Sequence, residues 1–510
     1  VQDMTKNAEF TGWRAFFWPI YRSEWKKFFP MVAILFLIVF NYNFLRTFKD
    51  SLLVTAPHSG AEAIPFIKVW AILPGALFLT YLFTRLANRY TREQVFYIMM
   101  SIFLVFFFLF TFVLYPFRDA LHPNDLADKL QAILPSGFKG LIAIFRNWIF
   151  TLFYTMSELW STAIMSVLFW GFMNDVTKIH EAKRYYSLLM VGANLSSIAA
   201  GQAAIWLSTF AFNAFIPYGS NKWEQSILIL NCTVIGCGLV IIGLFRWVNR
   251  NVIRPEERKI EHKPEKVKMS MRANFSYLAK SKYLLCIAAL VLTYNISMNL
   301  VEVVWKNQIH SVYSDPSDFR AYMGKVTTAI GIVATFCSLF LTSNVIRRFS
   351  WTTAAMIPAL VMLVTGLGFF IFVMFQESWL GSLTLIAGVS PIVFGLFLGS
   401  FQNTCGHACK YTFFDATKEI AFIPLDSESK LKGKAAIDGV GSRLGKSGGS
   451  VIHQGFLLLF TTVASSTPYV AAIFVAVLMV WIFSVVSLGK QFDVLTGKKV
   501  VPEAAPLEEA

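Results

Sequence analysis

Apolar runs of about 20 residues, the length that carries an α-helix across a bilayer, alternate with short polar segments along nearly the whole chain. About twelve such runs are readable. They lie near 31–48, 64–84, 94–115, 147–173, 186–212, 226–248, 283–305, 326–345, 352–376, 381–413, 437–463 and 468–489. Ahead of the first run, Phe10, Trp13, Phe16, Phe17, Ile20 and Tyr21 recur at roughly helical spacing, which predicts a helix lying in the membrane interface. The stretch Val501–Ala510 is small and acidic and is expected to be disordered. The opening stretch has no short apolar core followed by a small-residue cleavage site, so the first run is expected to direct insertion itself.

Loop charge orients the predicted spans. Arg85, Arg89 and Arg92 share one short loop, Lys178, Lys183 and Arg184 a second, and Arg347 and Arg348 a third. All are even-numbered connections, on the side of Arg14, Arg22, Lys26 and Lys27, whereas odd-numbered loops carry fewer and more balanced charges. Lys and Arg accumulate in cytoplasmic loops, so both termini are expected in the cytoplasm, with the chain multi-pass in the inner membrane. The expected division is an interfacial segment at 1–28, a six-helix half at 29–249, a basic cytoplasmic linker at 250–282, a second six-helix half at 283–490 and a tail at 491–510. The halves echo each other. Asp175-Val-Thr-Lys178 follows the fourth run and Asp415-Ala-Thr-Lys418 the tenth; Val191-Gly192 opens the fifth and Val440-Gly441 the eleventh; Tyr42 to Lys49 overlays Asn295 to Glu302. Two parallel six-helix halves describe a major-facilitator-like, all-α polytopic membrane protein with a central cavity.

Composition supports this class. Hydrophobic residues make up 56% of the 510 residues and charged residues 15%, against about 25% charged in soluble domains. The net charge of +15 is mostly positive-inside bias, with an anion-attracting cavity as the sharper reading. No basic helix or nucleic-acid module stands apart from the spans, so nucleic-acid partners are not expected. The cysteines all fall in apolar segments and read as small hydrophobes rather than disulfide partners. In Cys405-Gly-His407-Ala-Cys409 the histidine points away from both thiols on a helix, and no metal site is expected.

Charged side chains within spans cost about 2.5–3.5 kcal/mol to insert, so they are functional candidates. Arg46 and Lys49 share one helical face, Glu158 and Glu302 lie in the fourth and seventh runs, and Arg443 and Lys446 share a face of the eleventh. Cations from both halves facing one cavity suit a polyanion, each Lys or Arg meeting a different oxygen. The competing readings are helix-pinning ion pairs and, for Lys49 and Glu302, snorkelling to the surface. Leu444-Gly-Lys-Ser-Gly-Gly449 is not a P-loop, because Val440 stands where that pattern needs glycine. Its glycines serve either backbone approach to a ligand or helix packing. Asp175, Lys178, Asp415 and Lys418 are expected to form a cytoplasmic salt-bridge gate. No catalytic constellation or cofactor fingerprint is present, so an enzyme is not expected.

Taken together, Asn41-Tyr-Asn-Phe-Leu-Arg-Thr-Phe-Lys-Asp50, Ser157-Glu-Leu-Trp160, Leu168-Phe-Trp-Gly-Phe172, Asn299-Leu-Val-Glu-Val-Val-Trp-Lys306, Lys432-Gly-Lys-Ala-Ala-Ile-Asp438 and Leu444-to-Gly449 resemble the nucleotide transporter family of plastids and obligate intracellular bacteria. The resemblance implies exchange of ATP for ADP, with transport-essential charges at Lys49, Glu158, Glu302 and Lys446. The expected arrangement has Lys49 and Lys446, helped by Arg46 and Arg443, on the phosphates, and Asn194 and Tyr294 near base or ribose. Glu158 and Glu302 would pair with the lysines when the cavity is empty. ATP, ADP and the bilayer are the expected partners, phosphate is left open, and a functional monomer is expected. Proton-coupled import of other nucleoside triphosphates is the alternative.

Overall fold

A computed structural model describes residues 20–177, 179–252, 281–341, 350–386, 388–425, 437 and 441–496. Among the described residues, ten helices are long and apolar enough to cross a membrane. They are α1 (Trp25–Val54), α2 (Ala63–Ala87), α3 (Arg92–Leu114), α4 (Trp148–Met173), α5 (Ile179–Thr209), α6 (Lys222–Asn251), α7 (Lys282–Val312), α8 (Pro316–Phe340), α9 (Trp351–Phe375) and α12 (Val463–Leu495). The tenth expected span is broken: a short helix, Trp379–Ile386, precedes α10 (Pro391–Ala421) at a sharp bend. The eleventh, α11 (Ser442–Phe460), falls short on apolarity because it carries Arg443, Lys446, His453 and Gln454. With these two, the expected set of about twelve spans is present among the described residues.

Local chemistry sets where the helices start. Thr91 accepts from the Gln94 backbone N–H while the Gln94 side chain returns to the Thr91 N–H, opening α3 with a capping box. Asn221, Ser281, Asp315, Ser350 and Thr462 cap α6, α7, α8, α9 and α12, each side chain accepting a first-turn backbone N–H. Within the spans, backbone groups are bonded inside each helix, as a hydrocarbon surround demands.

Contacts at the helix ends establish the alternation. Here the end at which α1 finishes is the distal end and its start the proximal end. Lys27 at the start of α1 bonds the Val176 carbonyl, just beyond α4, and the Asn147 amide before α4 bonds Pro57 O at 3.2 Å, just beyond α1. On the proximal side Trp351 Nε1 donates to Thr417 O at 2.9 Å and Tyr283 donates to Ala421 O at 2.7 Å. Helices before Asn251 form one half, and helices from Lys282 the other. They meet along α5 and α8, where glycines let the backbones close. A Cβ on Gly201 would stand 2.6 Å from Gly324 O, and one on Gly331 2.9 Å from Asn194 O.

Two features refine the expected layout. The connection between α3 and α4 is not a plain loop: it folds into short helices at Arg118–Leu121, Asn124–Ile133 and Lys139–Arg146. Gly137 in this insert lies so close to α11 that a Cβ would come within 2.7 Å of Leu458 Cα. The first span is longer than residues 31–48, because Trp25 already opens α1. The expected interfacial helix falls mainly, and the basic linker almost wholly, outside the described residues, as does the tail beyond residue 496.

Candidate functional site

Seven charged side chains of alternating sign run across the junction of the halves. Lys446 Nζ lies 3.9 Å from Glu158 Oε1, and Lys49 Nζ lies 3.4 Å from Glu158 Oε2 and 3.3 Å from Asp50 Oδ1. Lys306 Nζ reaches Asp50 Oδ1 at 2.8 Å and Glu302 Oε1 at 2.7 Å, and Lys68 Nζ closes the chain on Glu302 Oε2 at 2.8 Å. Both ends of the series are lysines. Its middle is the most enclosed part, with Lys306 and Asp50 fully buried, while the Lys446 side chain is 54% exposed. Three links join one half to the other: Lys446–Glu158, Lys306–Asp50 and Lys68–Glu302. Tyr154 adds its ring face 3.6 Å from Lys49 Nζ.

The helices place these groups for identifiable reasons. Lys49 and Asp50 fall in the last two turns of α1, and Glu302 and Lys306 stand one turn apart on α7, so one carboxylate and one ammonium share a face. Lys68 opens a five-residue π-helical stretch in α2, a widened turn of the kind common at functional sites. On α11, Gly445 and Gly449 pack on α7: added Cβ atoms would meet Asn295 Cβ at 2.8 Å and Asn299 Cβ at 2.9 Å. Those two glycines therefore serve helix approach, and the Asn299 amide bonding Lys446 O at 3.1 Å fixes the height of Lys446.

Lys68, Glu158, Thr162, Arg443, Lys446 and Ser447 line one cavity with Ile72, Leu73, Ala76 and Leu159. It holds about 490 Å³ of empty space, part of it continuous with solvent. Three cations to one carboxylate make its polar wall anion-attracting. Arg443 is anchored on α2 through Thr80 Oγ1 at 3.1 Å and Ala76 O at 3.4 Å.

Of the residues expected at the site, Glu158, Lys446 and Arg443 line this cavity, and Lys49 and Glu302 join it through the ion-pair series. Glu302 pairs with Lys68 and Lys306, not with the two lysines anticipated for it. Arg46 turns to α10, its Nη2 2.9 Å from His407 Nε2. Asn194 bonds Ser338 Oγ at 3.3 Å across the α5–α8 seam, and Tyr294 stacks on Phe414 beside Trp481. None of these three lines the cavity. Asp415 pairs with Lys410 at 3.2 Å and Lys418 with Glu419 at 3.4 Å; the Asp175 side chain and Lys178 lie outside the described residues.

Sequence reasoning passed over Asp50, Lys68 and Lys306. The rule that selected Glu302, a charge inside an apolar span, applies to Lys68 in the second run, while Asp50 and Lys306 fall just past the first and seventh runs as read. Asp50 and Lys306 even close the two long motifs quoted for the resemblance.

A family model described as TLC ATP/ADP transporter matches residues 3–492. The chain is 44% identical over 497 residues to ADP,ATP carrier protein 1 of Chlamydia pneumoniae, covering 96% of each. It is 40% identical over 474 residues to the chloroplastic ADP,ATP carrier protein 1 of Arabidopsis thaliana, covering 93% of this chain and 75% of the relative. Among solved structures, a bacterial homologue of the iron transporter ferroportin in an inward-facing state superposes with a TM-score of 0.56 at 12% identity, over 92% of this chain and 100% of that one. The xylose transporter XylE from E. coli, partially occluded and inward open, superposes with a TM-score of 0.51 at 12% identity, over 95% of this chain and 100% of the other. At such identities the likeness concerns the fold alone, and that fold is the major-facilitator-like one expected from the two halves.

Proposed function

Because the chain belongs to the TLC ATP/ADP transporter family, it is a nucleotide transporter rather than an enzyme, and we propose that it exchanges ATP for ADP by alternating access with the phosphates held on the cavity lysines and arginine. The observation that carries the site assignment is the convergence of Lys68, Arg443 and Lys446 on one cavity wall beside a single carboxylate, Glu158. A nucleotide's phosphate chain offers oxygens enough for three separate cations, each bond charge-assisted. Glu158 holds Lys446 and Lys49 in the empty carrier and releases Lys446 when phosphate arrives. This avoids leaving a buried cation unpaired, which costs several kcal/mol. Proton-coupled import is not favoured by this family membership.

The proximal end faces the cytoplasm in this reading, with the chain in the inner membrane. Lys26, Lys27, Arg85, Arg89, Arg92, Arg246 and Arg250 all sit at that end, which agrees with the positive-inside rule. Distal Arg118 and Arg146 are instead neutralised by Glu224 and Asp128, at 2.6 and 2.5 Å. The cavity lies within one chain, which supports a functional monomer built of the two six-helix halves and the basic 250–282 segment. Gating by Asp175, Lys178, Asp415 and Lys418 at the cytoplasmic end remains part of the proposal, as do base or ribose contacts by Asn194 and Tyr294 after rearrangement. Orthophosphate fits the same cations and is tested as a co-substrate.

The test is uptake of labelled ATP into proteoliposomes preloaded with ADP, ATP, GTP, phosphate or nothing. Uptake is expected only with internal adenine nucleotide and falls steeply at low ATP in Lys446→Ala. Uptake into empty vesicles under a pH gradient would overturn exchange in favour of proton coupling.

A further inference from the structure

The ion-pair series has a feature that cargo binding alone does not require. Its two terminal lysines, Lys446 and Lys68, line the cavity, whereas its central link, Lys306–Asp50, is fully buried and crosses between the halves. Asp50 is satisfied on one oxygen only. Lys49 and Lys306 both meet Oδ1, and Oδ2 is buried without a geometric hydrogen bond among the described residues, with the Tyr154 hydroxyl facing the carboxylate. A carboxylate so placed depends on its two lysines, since they are the cations that balance its charge.

Lys49 and Lys306 are each shared. Lys49 also holds Glu158, and Lys306 also holds Glu302. An anion that draws Lys446 away from Glu158 and Lys68 away from Glu302 leaves each glutamate with one cation in place of two. Glu158 then competes harder for Lys49, and Glu302 for Lys306. Both movements take positive charge from Asp50, the attraction at such short range being strong in a low-dielectric surround. The pull therefore reaches a link that the cargo itself cannot touch.

Resting on the exchange reading, we propose that Asp50 and Lys306 form the lock that makes exchange obligatory: they hold the distal seam shut in the empty carrier, and anion binding at Lys68 and Lys446 releases them. The surroundings fit such a lock. On the same distal side Gln454 of α11 donates to Pro65 O at 2.9 Å and accepts from Trp70 Nε1 at 3.2 Å. Leu457 of α11 lies buried there, its carbonyl 2.8 Å from where a Gly137 Cβ would stand. Neither Asp50 nor Lys306 lines the cavity, so these are positioning residues and not cargo contacts.

Two readouts test the lock. Proteoliposomes loaded with labelled ATP are diluted into medium with ADP or with no nucleotide. The native carrier is expected to release label only into ADP. Asp50→Asn and Lys306→Gln are expected to release it into nucleotide-free medium about tenfold faster than the native chain, a modest displacement of a two-state balance, and Asp50→Glu is expected to restore dependence on ADP. In the second readout, a Leu457→Cys reporter in a chain whose own cysteines are replaced is exposed to a membrane-impermeant maleimide without nucleotide. Labelling is expected to be slow on the native background and faster in both lock variants. Folded Asp50→Asn and Lys306→Gln proteins with native-like coupling and native-like labelling would overturn the lock. A native carrier that releases ATP without external ADP would instead overturn the exchange reading, and the labelling comparison would still decide the lock.

Discussion

Lys446 is the most exposed cation of the series and lies 3.9 Å from its nearest carboxylate, so the least rearrangement frees it for cargo. Its replacement by alanine removes one charge-assisted contact, and the apparent KM for ATP is expected to rise about 10–100-fold. Concentration dependence of exchange in proteoliposomes measures this; an unchanged KM would remove Lys446 from the binding wall. Arg320 presents the opposite case. It is fully buried at the distal end of α8, bonding Ser226 Oγ at 2.7 Å, Ser208 Oγ at 3.0 Å and Leu207 O at 3.0 Å, over the Trp223 ring. Three bonds from one planar fork cannot be copied by an ammonium on a flexible stem. Arg320→Lys is therefore expected to lower stability by about 1.5–3 kcal/mol for each bond lost, read as a lower Tm of the purified protein in detergent. Lys446 was visible as an anomaly in an apolar run, whereas Arg320 falls just ahead of the eighth run and was not. The partners of such charges were not visible either: Lys68 meets Glu302 across 234 positions of chain, and no local pattern encodes that pairing.

At the scale of elements, the α5–α8 seam rests on close backbone approach. An added Cβ on Gly201 would stand 2.3 Å from Thr328 Oγ1 as well as 2.6 Å from a carbonyl of α8, whereas one on Gly236 of α6 meets nothing within 4 Å. Overpacking of this kind costs about 1–3 kcal/mol. Gly201→Ala is expected to lower Tm and slow exchange, while Gly236→Ala leaves both unchanged; equal behaviour of the two would show that the seam tolerates widening. Span number and order were legible because backbone in hydrocarbon must be helical and each span needs a minimum apolar length. The bend in α10 and the helical insert after α3 were not, and α11, though read as a span at 437–463, is polar for one. In each, tertiary contacts support what composition alone does not, as where Gly137 of the insert abuts α11.

For the molecule as a whole, exchange of ATP for ADP moves about one net negative charge, worth about 2.3 kcal/mol per 100 mV of membrane potential. A clamped potential of 100 mV is therefore expected to shift the equilibrium ratio of ATP to ADP across the vesicle membrane about 50-fold. Nucleotide analysis of vesicles held at set potassium diffusion potentials reads this. A ratio indifferent to voltage would require an ion that travels with the cargo and balances the charge.

By itself, the sequence determined the class of the molecule: too few charged residues to be soluble, spans of the right length, charge bias at one end and motifs shared across the halves. It also singled out Glu158, Glu302 and Lys446, because an ionised group inside a span carries an energetic cost that composition makes visible. Only the tertiary structure decided who pairs with whom. It drew Asp50, Lys68 and Lys306 into one series with them, set Arg46, Asn194 and Tyr294 away from the cavity wall, and assigned Gly445 and Gly449 to packing. The physical reason is distance: a buried charge must find a counter-charge within a few ångströms, and which one comes that close depends on how helices far apart in the chain are laid side by side.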